Sequence, residues 1–163
     1  MEGLERIPSF EGGVHLGGFA EYEHYSKMDC MARGKILVVD PDKLARKLIK
    51  ETLTKEGYEV LDTEDGAEWL KTMNAGSSGK ARSAVNLILC HHQVPDLNGG
   101  HMINKFLSQC HGIPIVMLAD RPDLHYAAQM FRQGVVEYLV KPLQPRILVD
   151  VVRKVIEVHG QVK

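Results

Sequence analysis

Asn86-Leu-Ile-Leu-Cys-His91-His-Gln-Val-Pro95-Asp-Leu-Asn-Gly99 is the stretch that decides the fold. Leu87 to Cys90 are an uninterrupted apolar run, which suits a strand covered on both faces, and the polar pair His91-His92 ends it. Pro95 and Gly99 then mark an irregular loop. Outward from this point, and from Lys35 onward, short β-branched runs alternate with segments of helical periodicity, the pattern of βαβ units around a parallel sheet. Strands are expected near residues 35–39, 58–62, 85–90, 113–118 and 136–140.

The intervening segments carry apolar residues at helical spacing. Leu44, Leu48, Thr52 and Leu53 share one side of a first helix, with Asp42 as its N-cap and Gly57 as its terminator. Trp69, Leu70 and Met73 give a second helix a short stripe. Met102, Ile103, Phe106 and Leu107 do so for a third, and Leu124, Ala127, Ala128 and Phe131 for a fourth. Ile147, Leu148, Val151, Val152, Val155 and Ile156 make the fifth strongly amphipathic. All of these are read as core, with no cofactor attached. The Gly/Ser-rich connection from Asn74 to Ala84 reads as a solvated loop, and it lacks the spacing and the preceding strand of a phosphate-binding loop.

Four further landmarks lie in register with the opening stretch. They are Lys35-Ile-Leu-Val-Val-Asp40, Glu56-Gly57-Tyr58-Glu59-Val60, Ile113-Pro-Ile-Val-Met-Leu118-Ala119 and Gly134-Val-Val-Glu-Tyr138-Leu-Val-Lys141-Pro142. Together they make residues 35–159 resemble the CheY-like receiver domains of bacterial response regulators. That resemblance implies a flavodoxin-like (βα)5 fold, a doubly wound parallel sheet in the order 2-1-3-4-5 with its pocket at the carboxyl edge.

It also implies what the pocket should hold. In the family, carboxylates at the ends of the first and third strands hold Mg²⁺, the third-strand aspartate accepts a phosphoryl group, and a Thr/Ser and a Lys bind it. Phosphoryl transfer depends on that charge neutralisation. Here Asp40 is followed by Pro41 where a second acidic residue is usual, His91 stands at the acceptor position, and Ala119 replaces the hydroxyl. Asp40, Lys141 and Tyr138 remain. The resemblance is therefore to an atypical, pseudo-receiver member: not an enzyme, without a cofactor, and acting through binding in bacterial signal transduction.

Two other readings stay open. Asp42, Asp96 and Asp120 lie close enough in sequence to serve as a shifted phosphate acceptor with Mg²⁺. His91 or His92 could make a metal-responsive sensor, with His15, His24 or His101 as further ligands if the N-terminal segment folds over, although consecutive strand residues point in opposite directions, so Cys90, His91 and His92 cannot all face one ion without an irregular turn. The resemblance also implies a protein partner engaged through the fourth helix, fifth strand and fifth helix, with Asp123, His125, Tyr126, Gln129, Arg132, Glu137 and Tyr138 as the contact residues; the N-terminal arm is the other expected surface. A homodimer through the same face is an alternative.

With 163 residues and 44% of them hydrophobic, the chain suits one domain with a substantial core. A formal net charge of -1 and the lack of a long basic run argue against direct nucleic-acid binding. Three cysteines without a CxxC pair fit a reducing cytoplasm. No segment reaches the roughly 20 apolar residues of a membrane span, so a soluble cytoplasmic protein is expected. Residues 1–34 lie outside the resemblance as an N-terminal extension. Phe10, Phe19, Tyr22 and Tyr25 suit a docking segment, while a translation start at Met28 or Met31 is an equal alternative. Residues 160–163 form a short C-terminal tail.

Overall fold

Successive residues of the first strand face opposite sides of a parallel sheet. Ile36 and Val38 are buried in one apolar layer, Leu37 and Val39 in the other. The computed structural model describes residues 33–75, 85–95, 100–110 and 112–159. The readings made on residues 1–32, 76–84, 160–163 and on Asp96 lie outside the described residues.

The elements alternate as expected: β1 (Lys35–Val39), α1 (Lys43–Lys55), β2 (Glu59–Thr63), α2 (Ala67–Ala75), β3 (Leu87–His91), α3 (Met102–Gln109), β4 (Ile115–Ala119), α4 (Leu124–Gln133), β5 (Glu137–Val140) and α5 (Pro145–His159). All four strand pairings are parallel, and the order is β2-β1-β3-β4-β5. Ile49 and Leu53 of α1 and Leu148, Val152 and Val155 of α5 cover one face. Leu70 of α2, Met102, Ile103 and Phe106 of α3 and Met130 of α4 cover the other. The order reverses between β1 and β3, which opens a crevice at their carboxyl ends, the usual ligand position in such sheets.

Local chemistry explains the boundaries. Asp42 caps α1 by accepting from the Leu44 amide at 2.9 Å. Gly57, at φ 93°, ends that helix in a left-handed conformation that a side chain would oppose. Strands β2 to β5 each begin one or two residues later than expected. For β4 the cause is Pro114, which has no N–H for the ladder and contributes only its carbonyl, to the Ile88 amide at 3.0 Å.

The helix stripes need correction in three places. Leu44 is 77% exposed and Leu48 also faces outward, so α1 packs through Ile49 and Leu53. Leu124, at 82%, and Phe131, at 43%, are exposed, as is Ala128, because α4 packs through Ala127 and Met130. Ile147 of α5 is exposed beside the buried Leu148. These three helices each carry apolar residues on two neighbouring rows, and the position of the sheet selects which row is buried.

Candidate functional site

Asp40 and His91 are the only buried polar or charged side chains among the described residues. Strand β1 delivers Asp40 and β3 delivers His91 to the carboxyl edge, on either side of the point where the strand order reverses. Two buried polar groups side by side in an apolar sheet need partners, and those partners define the site.

Asp40 is fully enclosed. Its Oδ1 accepts the Asp42 amide at 2.8 Å, and its Oδ2 lies 2.7 Å from Lys141 Nζ, an ion pair without the alignment of a hydrogen bond. Lys141 follows β5 and opens a cis Lys141–Pro142 bond. The Asp40 carbonyl accepts from the Arg46 guanidinium at 2.6 Å, and Arg46 also pairs with Asp62 on β2. The remaining carboxylate is thus neutralised by lysine, and Pro41 beside it offers no second one.

His91 ends β3 with only 3% of its side chain accessible. Its Nδ1 accepts the Gln93 amide at 3.3 Å, so a neutral ring carries its proton on Nε2. Nε2 lies 3.2 Å from Asp120 Oδ1 without the alignment of a hydrogen bond. The chain turns at His92 and Gln93, and this turn brings the His92 ring to 4.8 Å from that of His91, with Tyr126 of α4 5.8 Å beyond it. Cys90 turns away into the core, so the three side chains do not meet at one point, and it is the irregular turn after β3 that brings the two imidazoles together. Burial, reinforced by His91, holds His92 below the usual histidine range. Burial raises the Asp120 carboxyl, but His91 and Lys141 outweigh it, and the net displacement is downward.

The shifted acidic residues separate. Asp120 joins the site, 3.8 Å from Lys141 and about half exposed. Asp42 serves as the cap of α1. Ala119 lines a cavity of about 550 Å³ with His92, Gln93, His101, Asp120 and Tyr126. Gln93 was not singled out from sequence, because it lies in the turn after β3 and no periodicity places such a residue.

Mg²⁺ requires near-octahedral oxygen ligation. The residues present do not fit it: one oxygen of Asp40 is paired with Lys141, the other accepts an amide, position 41 is proline, and the acceptor position supplies imidazole nitrogen.

Tyr138 of β5 is fixed by the loop before α4. Its hydroxyl donates to the Arg121 carbonyl at 2.8 Å and accepts from the Asp123 amide at 3.1 Å. Asp123 also caps α4 by accepting from the Tyr126 amide at 2.9 Å. Of the anticipated contact residues, His125, Gln129 and Arg132 are exposed on α4, Tyr126 and Glu137 are half-buried, and Asp123 and Tyr138 have these structural duties. Leu124 and Phe131 add an exposed apolar row that sequence had placed in the core.

Residues 36–153 match the model of the response regulator receiver domain family. Over 117 residues the chain is 32% identical to the chemotaxis protein CheY1 of Helicobacter pylori, covering 70% of this chain and 90% of that protein. It is 30% identical over 125 residues to the uncharacterized transcriptional regulatory protein YbdJ of Bacillus subtilis, covering 77% of this chain and 52% of that one. The crystal structure of a CheY-like receiver domain protein from Methanospirillum hungatei shares the fold, with a TM-score of 0.63 at 23% identity over 78% of this chain and 97% of that one.

Proposed function

The chain belongs to the response regulator receiver domain family of two-component signalling, and we propose that it works there as a pseudo-receiver, a non-enzymatic interaction module that does not depend on phosphorylation. One observation carries this reading. Of the groups that phosphotransfer needs in the family, Asp40 and Lys141 survive, and they are paired with each other at 2.7 Å. His91 at the acceptor position and Ala119 at the hydroxyl position leave neither a nucleophilic carboxylate nor a ligand for the transferred group.

Contact with a protein partner is assigned to α4 and its flanks. Leu124, Ala128 and Phe131 form an apolar row bordered by His125, Gln129 and Arg132, a composition suited to a docking helix face. Among the described residues no helix is long and apolar enough to cross a membrane. Cys90 and Cys110 are buried thiols, in keeping with action in a reducing cytoplasm.

A second reading rests on Asp120, a carboxylate within 3.8 Å of Lys141 that could accept a phosphoryl group. Incubation with a small-molecule phosphodonor and Mg²⁺, followed by intact mass measurement, decides between them. The pseudo-receiver shows no adduct. A stoichiometric aspartyl adduct mapped to Asp120 replaces it with the second reading.

A further inference from the structure

We propose that His91, His92 and Asp120 form a binding site for a Zn²⁺-class transition-metal ion, with a fourth position open to the adjoining cavity. Each of the three offers a ligand atom within 4.8 Å of the other two. Around a tetrahedral ion with bonds of about 2.0–2.1 Å, ligand atoms stand about 3.3 Å apart, so a set spread over as much as 4.8 Å closes on the ion by rotation of the half-buried His92 and the exposed Asp120. His91 Nε2 and Asp120 Oδ1 are already 3.2 Å apart, yet they are not aligned to share a proton. That pairing is an unsatisfactory hydrogen bond and a good edge of a coordination tetrahedron.

Two independent observations point the same way. His91 Nε2 is buried and poorly aligned with its one near acceptor, the Asp120 carboxylate, which leaves it open to a better-placed partner. The donor set of two imidazoles and one carboxylate is the borderline set that zinc takes in three-ligand sites with an exchangeable fourth position, and it is unsuited to Mg²⁺. The cavity of about 550 Å³ beside His92 and Asp120 leaves room for that fourth ligand, a water or a donor from a partner. Lys141 does not bar the ion, because its charge is balanced by Asp40 at 2.7 Å.

Loading has a local consequence. Coordination through Nε2 moves the His91 proton to Nδ1, so the 3.3 Å bond from the Gln93 amide must break. It also ties down Asp120, the first residue of the loop that Tyr138 holds and that leads into α4. A metal ion would thereby act on the same loop as the docking helix, while the site itself does not require that a partner docks there.

The test is titration of the full chain, stripped of metal and free of any tag, with Zn²⁺ alone and with Mg²⁺ alone by calorimetry. His92→Ala and Asp120→Asn are measured in parallel, with thermal melts to confirm that they fold. The expected result is one Zn²⁺ per chain, weakened at least about tenfold by each substitution, and no comparable Mg²⁺ binding. Co²⁺ should give the intense visible bands of four-coordinate geometry and shift the Gln93 amide resonance. Absence of saturable Zn²⁺ binding, or binding untouched by both substitutions, overturns the site. Neither outcome bears on the phosphodonor experiment, so the two readings fail separately.

Discussion

Lys141 Nζ lies 2.7 Å from Asp40 Oδ2, joining the carboxyl ends of β5 and β1 across those of β3 and β4. Asp40 is fully buried, so this lysine is what allows a carboxylate at that position. Removing one member of such a pair leaves an uncompensated charge, which costs about 3–5 kcal/mol. Lys141→Met should destabilise the protein by that order in chemical denaturation. The double variant Asp40→Asn/Lys141→Met should recover much of the loss, and a double variant no better than the single one would refute the pairing.

If the pocket is silent because its chemistry is missing, restoring that chemistry should revive it. The triple variant Pro41→Asp/His91→Asp/Ala119→Thr supplies a second acidic residue, an acceptor and a hydroxyl around the existing Asp40 and Lys141. Intact mass after exposure to a phosphodonor and Mg²⁺ should show one added phosphoryl group in the triple variant and none in the parent. A triple variant that folds and remains unmodified would mean that the vacancies do not account for the silence.

Asp62 links acid stability to α1. The Lys50 ammonium at 2.9 Å holds its carboxyl below the ordinary value, with Arg46 assisting against the effect of burial. A depressed carboxyl contributes stability above its unfolded value of about 3.9 and loses it as pH falls through the folded value. Stability should therefore fall on acidification below about pH 4, and Asp62→Asn should flatten that limb while lowering stability at neutral pH. An unchanged acid limb in the variant would show that Asp62 plays no part in it.

Tyr138→Phe deletes both hydrogen bonds to the loop before α4 while keeping the ring. The loss should be about 1 kcal/mol, with faster hydrogen exchange at the Asp123 amide. If exchange at Asp123 is unaltered, the tyrosine is not what holds the loop.

Burial, with Asp40 adding to it, pushes the Cys90 thiol far above its usual range. Alkylation at pH 8 should spare Cys90 in the native protein and modify it after denaturation, as peptide mapping would show. Native labelling of Cys90 would contradict its placement in the core.

Much of the architecture was open to reading because the strands are apolar throughout and the helices are not. Ile36 to Val39, Leu87 to Cys90 and Ile115 to Leu118 are buried on both faces, and such short apolar runs alternating with helical segments are the pattern of parallel strands under two helical layers. The capping roles of Asp42 and Gly57 were equally plain, since they depend on neighbours one to three residues away. The helix faces were less so. Leu44, Leu124 and Phe131 fit an apolar stripe as well as the residues that pack, and nothing local distinguishes the two rows.

The amino-acid order by itself determined the alternation of strands and helices, the five-strand architecture and the identity of the residues at the pocket positions: Pro41, His91, Ala119 and Lys141. It did so because burial pattern, capping and strand termini are written within a few residues of each other. The tertiary structure alone decided how closely Lys141 approaches Asp40, that a turn after β3 folds His92 back beside His91, and that Asp120 meets them. Those groups come from β1, β3, β4 and β5, and their separation is set by how the strands stack and where each loop reverses, which no short stretch of chain encodes.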